Sequence, residues 1–215
     1  MKENFDISVQ RFNEFADEFN ERFKNIDSYQ VHLDLFVSLA PEPVSSILEL
    51  GCGPGNITGF LHGHFPDAQI TAIDLAPRMI EIARRSLPSV DFRVMDVRKI
   101  RALKRQFDLV MCSFCLPFLS AEDTQKLIVD CAAQISPGGL IYISTMEGDS
   151  DNAGFEPTSF SGDSEVFFNY HLKASLEELL REAGIEIEHS VRQDYQAPDG
   201  RISTDLILIG RKRRG

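Results

Sequence analysis

The chain has 215 residues, 43% of them apolar and 26% charged, with 16 Phe, 4 Tyr and no Trp. Those proportions suit one folded α/β domain, alone or with a small cap, and exclude a mainly disordered chain. At this size roughly 70% of the unfolded surface is buried on folding, so stability requires neither metal nor disulfide. Lys and Arg number 22 against 33 Asp and Glu, a net charge of −11. The last five residues, Arg211 to Gly215, hold four of the cations, so residues 1–210 carry 18 against 33, or −15. Such an acidic body repels phosphate backbones and argues against a general nucleic-acid binder. The basic tail reads as a solvated terminus, with a local nucleic-acid or anionic-surface contact as the alternative.

The longest mainly apolar run, Leu109 to Leu119, is about half the length of a spanning helix, and Ser113 and Pro117 interrupt it. Met1 to Ser8 contain no apolar segment of the secretory type, and the expectation is a cytoplasmic protein. Cys52, Cys112, Cys115 and Cys131 offer one close pair, Cys112-x-x-Cys115, at a strand end rather than at a strand-to-helix redox turn. No second pair or His cluster completes a zinc set, so four reduced, buried thiols and no metal are expected.

In chain order, Phe12, Phe15, Phe19 and Phe23 form one helical stripe separated by charged residues. A break over Asn25 to Ser28 leads to a second helix, Tyr29 to Ala40, stopped by Pro41 and Pro43. From Ser45 the pattern alternates. Strands are expected at 47–50, 69–74, 90–94, 107–113 and 140–145, separated by helices at 56–64, 78–86 with Pro77 at its first position, and one ending near Ile135, which Ser120 caps with Asp123. A helix at roughly 172–183 stops at Gly184. Strands Ile185 to Val191 and Ile202 to Ile209 follow, with Pro198-Asp199-Gly200 as a turn between them. This predicts an α/β fold with a doubly wound, seven-stranded, mostly parallel sheet ending in an antiparallel hairpin. The segments are a helical arm or cap over 1–44, a core domain over 45–210 with a lid loop at 146–170, and the tail 211–215.

The informative segment is Ile47-Leu48-Glu49-Leu50-Gly51-Cys52-Gly53-Pro54-Gly55-Asn56. Its glycines permit a sharp turn at the carboxyl end of the first strand and the close approach of a ligand. The third glycine of a dinucleotide fingerprint would fall at position 56, which is Asn. The spacing here is G-x-G-x-G with an acid two residues upstream.

This pattern resembles motif I of the class I S-adenosylmethionine-dependent methyltransferases, and the likeness continues in order along residues 45–210. Asp74 ends the second strand, Met95-Asp96-Val97 the third, Phe107-Asp108-Leu109-Val110 resembles the fourth-strand motif, and Pro137-Gly138-Gly139 the turn before strand five. The terminal hairpin is similar to the family's reversed seventh strand. The resemblance implies a Rossmann-like methyltransferase fold that takes S-adenosylmethionine and releases S-adenosylhomocysteine. It implies that Glu49, Gly51, Cys52 and Gly53 hold the methionine end, with Glu49 on the ammonium directly or through water. Asp74 would take the ribose hydroxyls, Leu75 and Met79 would flank the adenine, Asp96 and Val97 would read its edge, and Cys112 and Ser113 would line the sulfonium side. Bland alternatives stand beside these: a helix cap for Asp74 or Asp96, an ion-pair partner for Glu49, ordinary core for Leu75 and Met79. Tyr29 and Arg22 are candidates to close over the cofactor carboxylate.

Methyl transfer from a sulfonium mainly needs proximity and alignment, and a general base only when the acceptor is protonated as bound. The sequence accordingly offers no decisive catalytic residue. His171 and Tyr170, between the acidic loop and the last helix, are the candidates, with helix entry as the alternative for His171. Absent motifs bound the acceptor. There is no Asp/Asn-Pro-Pro-aromatic after strand four, no Pro-Cys nucleophile, and no paired-glutamate and Thr-His-Trp pattern. What remains is similar to the small-molecule branch, with O, N or C as the accepting atom. The alternatives are a methyltransferase acting on a tRNA base or protein, a nicotinamide oxidoreductase, and a nucleoside- or dinucleotide-binding module without methyl transfer.

Overall fold

The computed structural model describes residues 2–161, 164–196 and 202–214. Helices α1 (Lys2–Glu14), α2 (Ala16–Phe23) and α3 (Gln30–Ser38) form the arm, with a 3-10 turn at Asp27–Tyr29. There follow β1 (Ser46–Leu50), α4 (Asn56–His64), β2 (Gln69–Asp74), α5 (Pro77–Ser86), β3 (Asp91–Val94), β4 (Phe107–Ser113), α6 (Ala121–Gln134) and β5 (Ile135–Glu147). After β5 come β6 (Gly154–Pro157), β7 (Glu165–Phe168), α7 (Lys173–Glu182), β8 (Ile185–Gln196) and β9 (Ile202–Lys212). Local signals place the boundaries as expected. Pro77 begins α5, where its missing N–H is harmless, and Ser120 caps α6 by accepting the Asp123 N–H at 3.1 Å.

Seven strands form one sheet in the order β3-β2-β1-β4-β5-β9-β8. β1 pairs in parallel with both β2 and β4, so the chain winds outward in both directions from that pair. The ligand crevice of such a sheet opens at the carboxyl ends of the two strands where the winding reverses. β9 runs antiparallel to β5 and β8. The turn Pro198-Asp199-Gly200 lies outside the described residues. Burial divides by strand alternation. Leu48, Leu50, Val110, Cys112, Ile141 and Ile143 face α6 and α7, while Ile47, Ala72, Leu109, Met111 and Tyr142 face α3, α4 and α5.

Three elements depart from expectation. The Phe stripe is not one straight helix: Phe15 adopts φ −103°, ψ 30° between α1 and α2, while hydrogen bonds on both sides of it persist at 2.9 Å. The bend lets Phe12 and Phe19 both reach Phe160 of the lid, at ring separations of 5.2 and 5.1 Å. The lid is not simply a loop, because β6 and β7 pair antiparallel within it. Ser8 of α1 fastens this hairpin, its hydroxyl accepting the Phe167 N–H at 3.1 Å and donating to the Phe167 carbonyl at 3.3 Å. Strand β5 begins at Ile135 rather than Leu140, pairing there with Phe107 across a register shift.

Candidate active site

The glycine turn after β1 fixes the centre of the crevice. Gly51, Gly53 and Gly55 have φ of 65°, 53° and 91°, the left-handed region. A Cβ on Gly51 would also lie 3.2 Å from that of Cys115, and one on Gly55 3.2 Å from that of Ala83. The turn is clamped to β2. Asp74 accepts the Gly53 N–H at 2.9 Å and the Ala76 N–H at 2.8 Å, and the Cys52 N–H reaches the Ile73 carbonyl at 3.0 Å. Burial pushes the Asp74 carboxyl upward, opposed by the N–H groups of Ala76, Gly53 and Leu75. With one backbone donor on each oxygen, the carboxylate keeps acceptor capacity for two further hydrogen bonds.

Glu49 is buried on the same sheet face and accepts the Thr58 hydroxyl at 2.6 Å. Its carboxyl is pushed up to about 8, chiefly by burial, with the Thr58 hydrogen bond opposing and the Asp74 charge adding. No ion pair forms here among the described residues, so the salt-bridge alternative for Glu49 does not hold. Cys52 is buried beside it, and burial, with the Glu49 and Asp74 charges, holds its thiol protonated.

Asp96 is already engaged by Arg98. It caps the 3-10 segment Val97–Leu103 by accepting the Arg98 N–H at 2.9 Å, and its two oxygens take the Arg98 guanidinium at 2.7 to 3.1 Å. Burial alone would raise this carboxyl, but the Arg98 hydrogen bonds and the positive charges of Arg98 and Lys99 outweigh it and hold it below the usual range. An adenine amino group would have to share Asp96 with Arg98. Val97 and Cys112 belong to the core facing α6 and α7, and Cys112 lies against Cys115. Leu75 is half-buried, whereas Met79 is packed under the arm with Ala16, Ala76 and Ile82.

Ser113, at the end of β4, meets the Ser144 hydroxyl at 3.1 Å. The two catalytic candidates sit at the base of the lid. The Tyr170 hydroxyl donates to Glu156 of β6. His171 is buried, its Nε2–H donating to the Leu116 carbonyl at 2.9 Å, and burial lowers its pKa. Asn169 likewise donates to the Pro117 carbonyl, so residues 169–171 tie the lid to the turn after β4. Helix entry and anchoring describe His171 better than proton transfer.

Two features escaped the sequence reading. One is an aromatic roof. Phe12, Phe19 and Phe23 of the arm gather around Phe160 of the lid, Phe12 also meets Phe118 at 4.8 Å, and Phe19 lies 3.7 Å from where a Gly53 Cβ would be. The stripe was visible in sequence, but Phe160 carried no signal. The other is Asp205, to which Tyr29 donates at 2.7 Å. Tyr29 therefore turns to β9 rather than closing over the glycine turn, and Arg22 reaches the Ser159 hydroxyl at 3.4 Å.

A mostly parallel sheet with a clamped G-x-G-x-G turn at its winding reversal and an acid ending the second strand has Rossmann-like architecture. Comparison with known proteins narrows this class. Residues 47–139 match the family described as methyltransferase domain. The trans-aconitate 2-methyltransferase of Escherichia fergusonii is 34% identical over 111 residues, 52% of this chain and 43% of that protein. The match thus spans less than half the length of the curated relative. Among solved structures, the N-methyltransferase NodS from Bradyrhizobium japonicum WM9, in complex with S-adenosylhomocysteine, aligns with a TM-score of 0.70 at 20% identity, covering 97% of this chain and 98% of that one. The magnesium protoporphyrin IX methyltransferase from Synechocystis PCC 6803, with bound S-adenosylmethionine, aligns with a TM-score of 0.70 at 16% identity and 97% coverage of both chains. Residues 47–139 thus match a methyltransferase-domain family, and the chain shares the fold of these two solved methyltransferases.

Proposed function

We propose that this protein transfers a methyl group from S-adenosylmethionine to a small-molecule acceptor. The observation that carries the reading is the Asp74 clamp, a strand-end carboxylate that accepts the Gly53 N–H of a left-handed glycine turn and the Ala76 N–H after its own strand, with acceptor capacity to spare. A nucleoside there would place its ribose hydroxyls on Asp74 and its methionine end over Gly51 and Gly53, with Glu49 beneath. Leu75 would flank the base, and Val97 would offer its backbone at the base edge. When bound, the sulfonium supplies an activated methyl group, so the protein's work is alignment and exclusion of water. The Phe12, Phe19 and Phe160 roof supplies the exclusion.

The roof and the position of the tail both favour a small acceptor over a macromolecule. Because β9 is antiparallel, Arg211 pairs with Leu140 of β5, which lies level with Leu109 near the amino end of β4. The basic tail therefore lies at the end of the sheet opposite the crevice and cannot guide a polyanion into it. Among the described residues no helix is long and apolar enough to cross a membrane. Together with four free, buried cysteines, this supports a cytoplasmic setting.

Calorimetric titration with S-adenosylhomocysteine tests the reading. Wild type should bind, and Asp74→Ala and Asp74→Asn should each lose more than about tenfold in affinity, since a charge-assisted hydrogen bond is worth about 1.5–3 kcal/mol. Thermal unfolding of both variants checks that the clamp's loss has not unfolded the turn. No binding by wild type, or equal binding by three folded proteins, would overturn the assignment.

A further inference from the structure

The nucleoside reading uses the β1, β2 and β3 side of the crevice and leaves the β4, β5 and β9 side unexplained. That side is polar although it ends a buried sheet face. Ser113 of β4 and Ser144 of β5 are paired through their hydroxyls at 3.1 Å. The Phe114 N–H reaches the Ser144 carbonyl at 2.9 Å and its hydroxyl at 3.2 Å, with Phe114 held at φ 49°. A non-glycine residue in that region is strained, and such strain gathers at ligand sites. The Tyr29 ring packs edge-on to Phe114 at 5.2 Å and its hydroxyl donates to Asp205 at 2.7 Å. Asp205 comes from the start of β9, opposite Met146 at the end of β5. Reversal of β9 is what brings this carboxylate to the carboxyl ends of the parallel strands.

Asp205 is 5% exposed, and the one hydrogen bond its side chain accepts among the described residues is from Tyr29. The titratable groups facing it are Tyr29 from the 3-10 turn and Tyr142 from β5. Its register neighbours Met146 of β5 and Gln193 of β8 are uncharged, and His32 of α3 reaches Gln193 rather than Asp205. No cation of the protein pairs with it among the described residues. A buried carboxylate is costly without a counter-charge, and burial pushes Asp205 up to about 6, against the Tyr29 hydrogen bond. Of the cations around the crevice, Arg78 is committed to Asp17 and Glu81, Arg98 to Asp96 and Asp123, and Arg192 to Glu147, while Arg22 of the arm reaches the Ser159 hydroxyl of the lid. An anionic acceptor would meet an unpaired acid. A cationic one would complete it.

We propose that Asp205 and Tyr29 form the acceptor subsite and that the acceptor is an amine arriving as its ammonium. The inference rests on the methyl-transfer reading above and names the acceptor class for that site. The ammonium gives one proton to the Asp205 carboxylate, directly or by relay through the Tyr29 hydroxyl. The freed nitrogen lone pair forms the N–C bond as the S–C bond breaks, and the sulfur keeps the bonding pair. The product leaves as a methylated ammonium, and Asp205 returns its proton to solvent. Ser113 and Ser144 orient the nitrogen's remaining hydrogens. The matched relative is named for a polycarboxylate acceptor. Ser144 and Asp205 lie beyond the family match, which ends at residue 139, so that match does not bear on these two residues.

The test uses the full chain saturated with S-adenosylhomocysteine and titrated with 2-phenylethylamine, phenylacetate and trans-aconitate; the first two are close in size and opposite in charge. The amine should bind at least tenfold tighter than either carboxylate. Asp205→Asn should lose that preference while keeping its affinity for S-adenosylhomocysteine, and Asp205→Glu should restore part of it. With radiolabelled methyl donor, transfer to the amine should rise with pH in wild type, and Tyr29→Phe should raise KM more than it lowers kcat. If Asp205→Asn does not fold, Tyr29→Phe, on the arm, carries the same comparison. Tighter binding of a carboxylate, no amine binding, or an amine preference unaltered by either variant overturns the proposal. Equal loss of amine and S-adenosylhomocysteine affinity assigns Asp205 a structural role and overturns it too. Failure of wild type to bind S-adenosylhomocysteine at all instead removes the methyl-transfer reading beneath it.

Discussion

Glu49→Gln separates the cost of a buried carboxyl from its shape. The wild-type side chain is 3% exposed, accepts the Thr58 hydroxyl at 2.6 Å, and ionises near 8 in the fold against 4.5 ordinarily. The folded state therefore holds a proton that the unfolded chain releases between those values, so stability must fall as pH rises through that window. At 1.36 kcal/mol per pH unit the loss is nil below pH 4.5, about 3 kcal/mol at pH 7, and at most roughly 5 kcal/mol above pH 8. Glutamine keeps the oxygen that accepts from Thr58 and cannot ionise. It brings two amide hydrogens into a buried site at a pH-independent cost of about 1–3 kcal/mol. Urea unfolding of both proteins at pH 5.5, 7 and 8.5 measures the difference. Between pH 5.5 and pH 8.5 Glu49→Gln should gain about 3 kcal/mol relative to wild type. A difference constant within 1 kcal/mol across the three values would refute the account, because it would mean Glu49 ionises normally in the fold.

Asp108 and His171 give two further tests. A single Asp108 oxygen accepts both N–H groups and both hydroxyls of Ser45 and Ser46, at 2.7 to 3.1 Å. Burial would raise this carboxyl, but those hydrogen bonds outweigh it and hold it low. Asp108→Ala should lose about 2–3 kcal/mol at pH 7. Because the folded state favours the ionised form, wild type should forfeit that advantage as pH falls below the usual carboxylate range, and equal Tm loss at pH 3 and pH 7 would contradict this. His171→Ala opens a cavity and removes one of the two hydrogen bonds that the Leu116 carbonyl accepts, the Leu119 N–H keeping the other, and should lose about 2–4 kcal/mol by chemical denaturation, with S-adenosylhomocysteine affinity unchanged. The imidazole is held neutral by burial, so wild type should weaken below pH 6.5, where the unfolded chain takes up the proton, and His171→Ala should lack that slope. A His171→Ala protein of native stability that has lost turnover would restore His171 as a base.

The sequence by itself determined the parallel sheet, the glycine turn and Asp74, because each depends on neighbours in the chain. Apolar runs and helix periods specify strand–helix alternation. Gly51, Gly53 and Gly55 are required by their own φ, and Asp74 closes its clamp on residues 53 and 76. One further local fact is legible: Asp96 and Arg98 stand two apart, close enough to pair, so a base edge at Asp96 would share it with Arg98. Only the tertiary structure decided the rest. Phe160 joins the arm's rings across about 140 residues of chain, which no helical period signals. Asp205 reaches Tyr29 from 176 residues away, and does so because β9 runs backward beside β5. The proposed nucleoside half of the crevice is local chemistry on a recurrent turn. The proposed acceptor half is assembled from the arm, the ends of β4 and β5 and a reversed strand, so its side chains come together only once those elements meet.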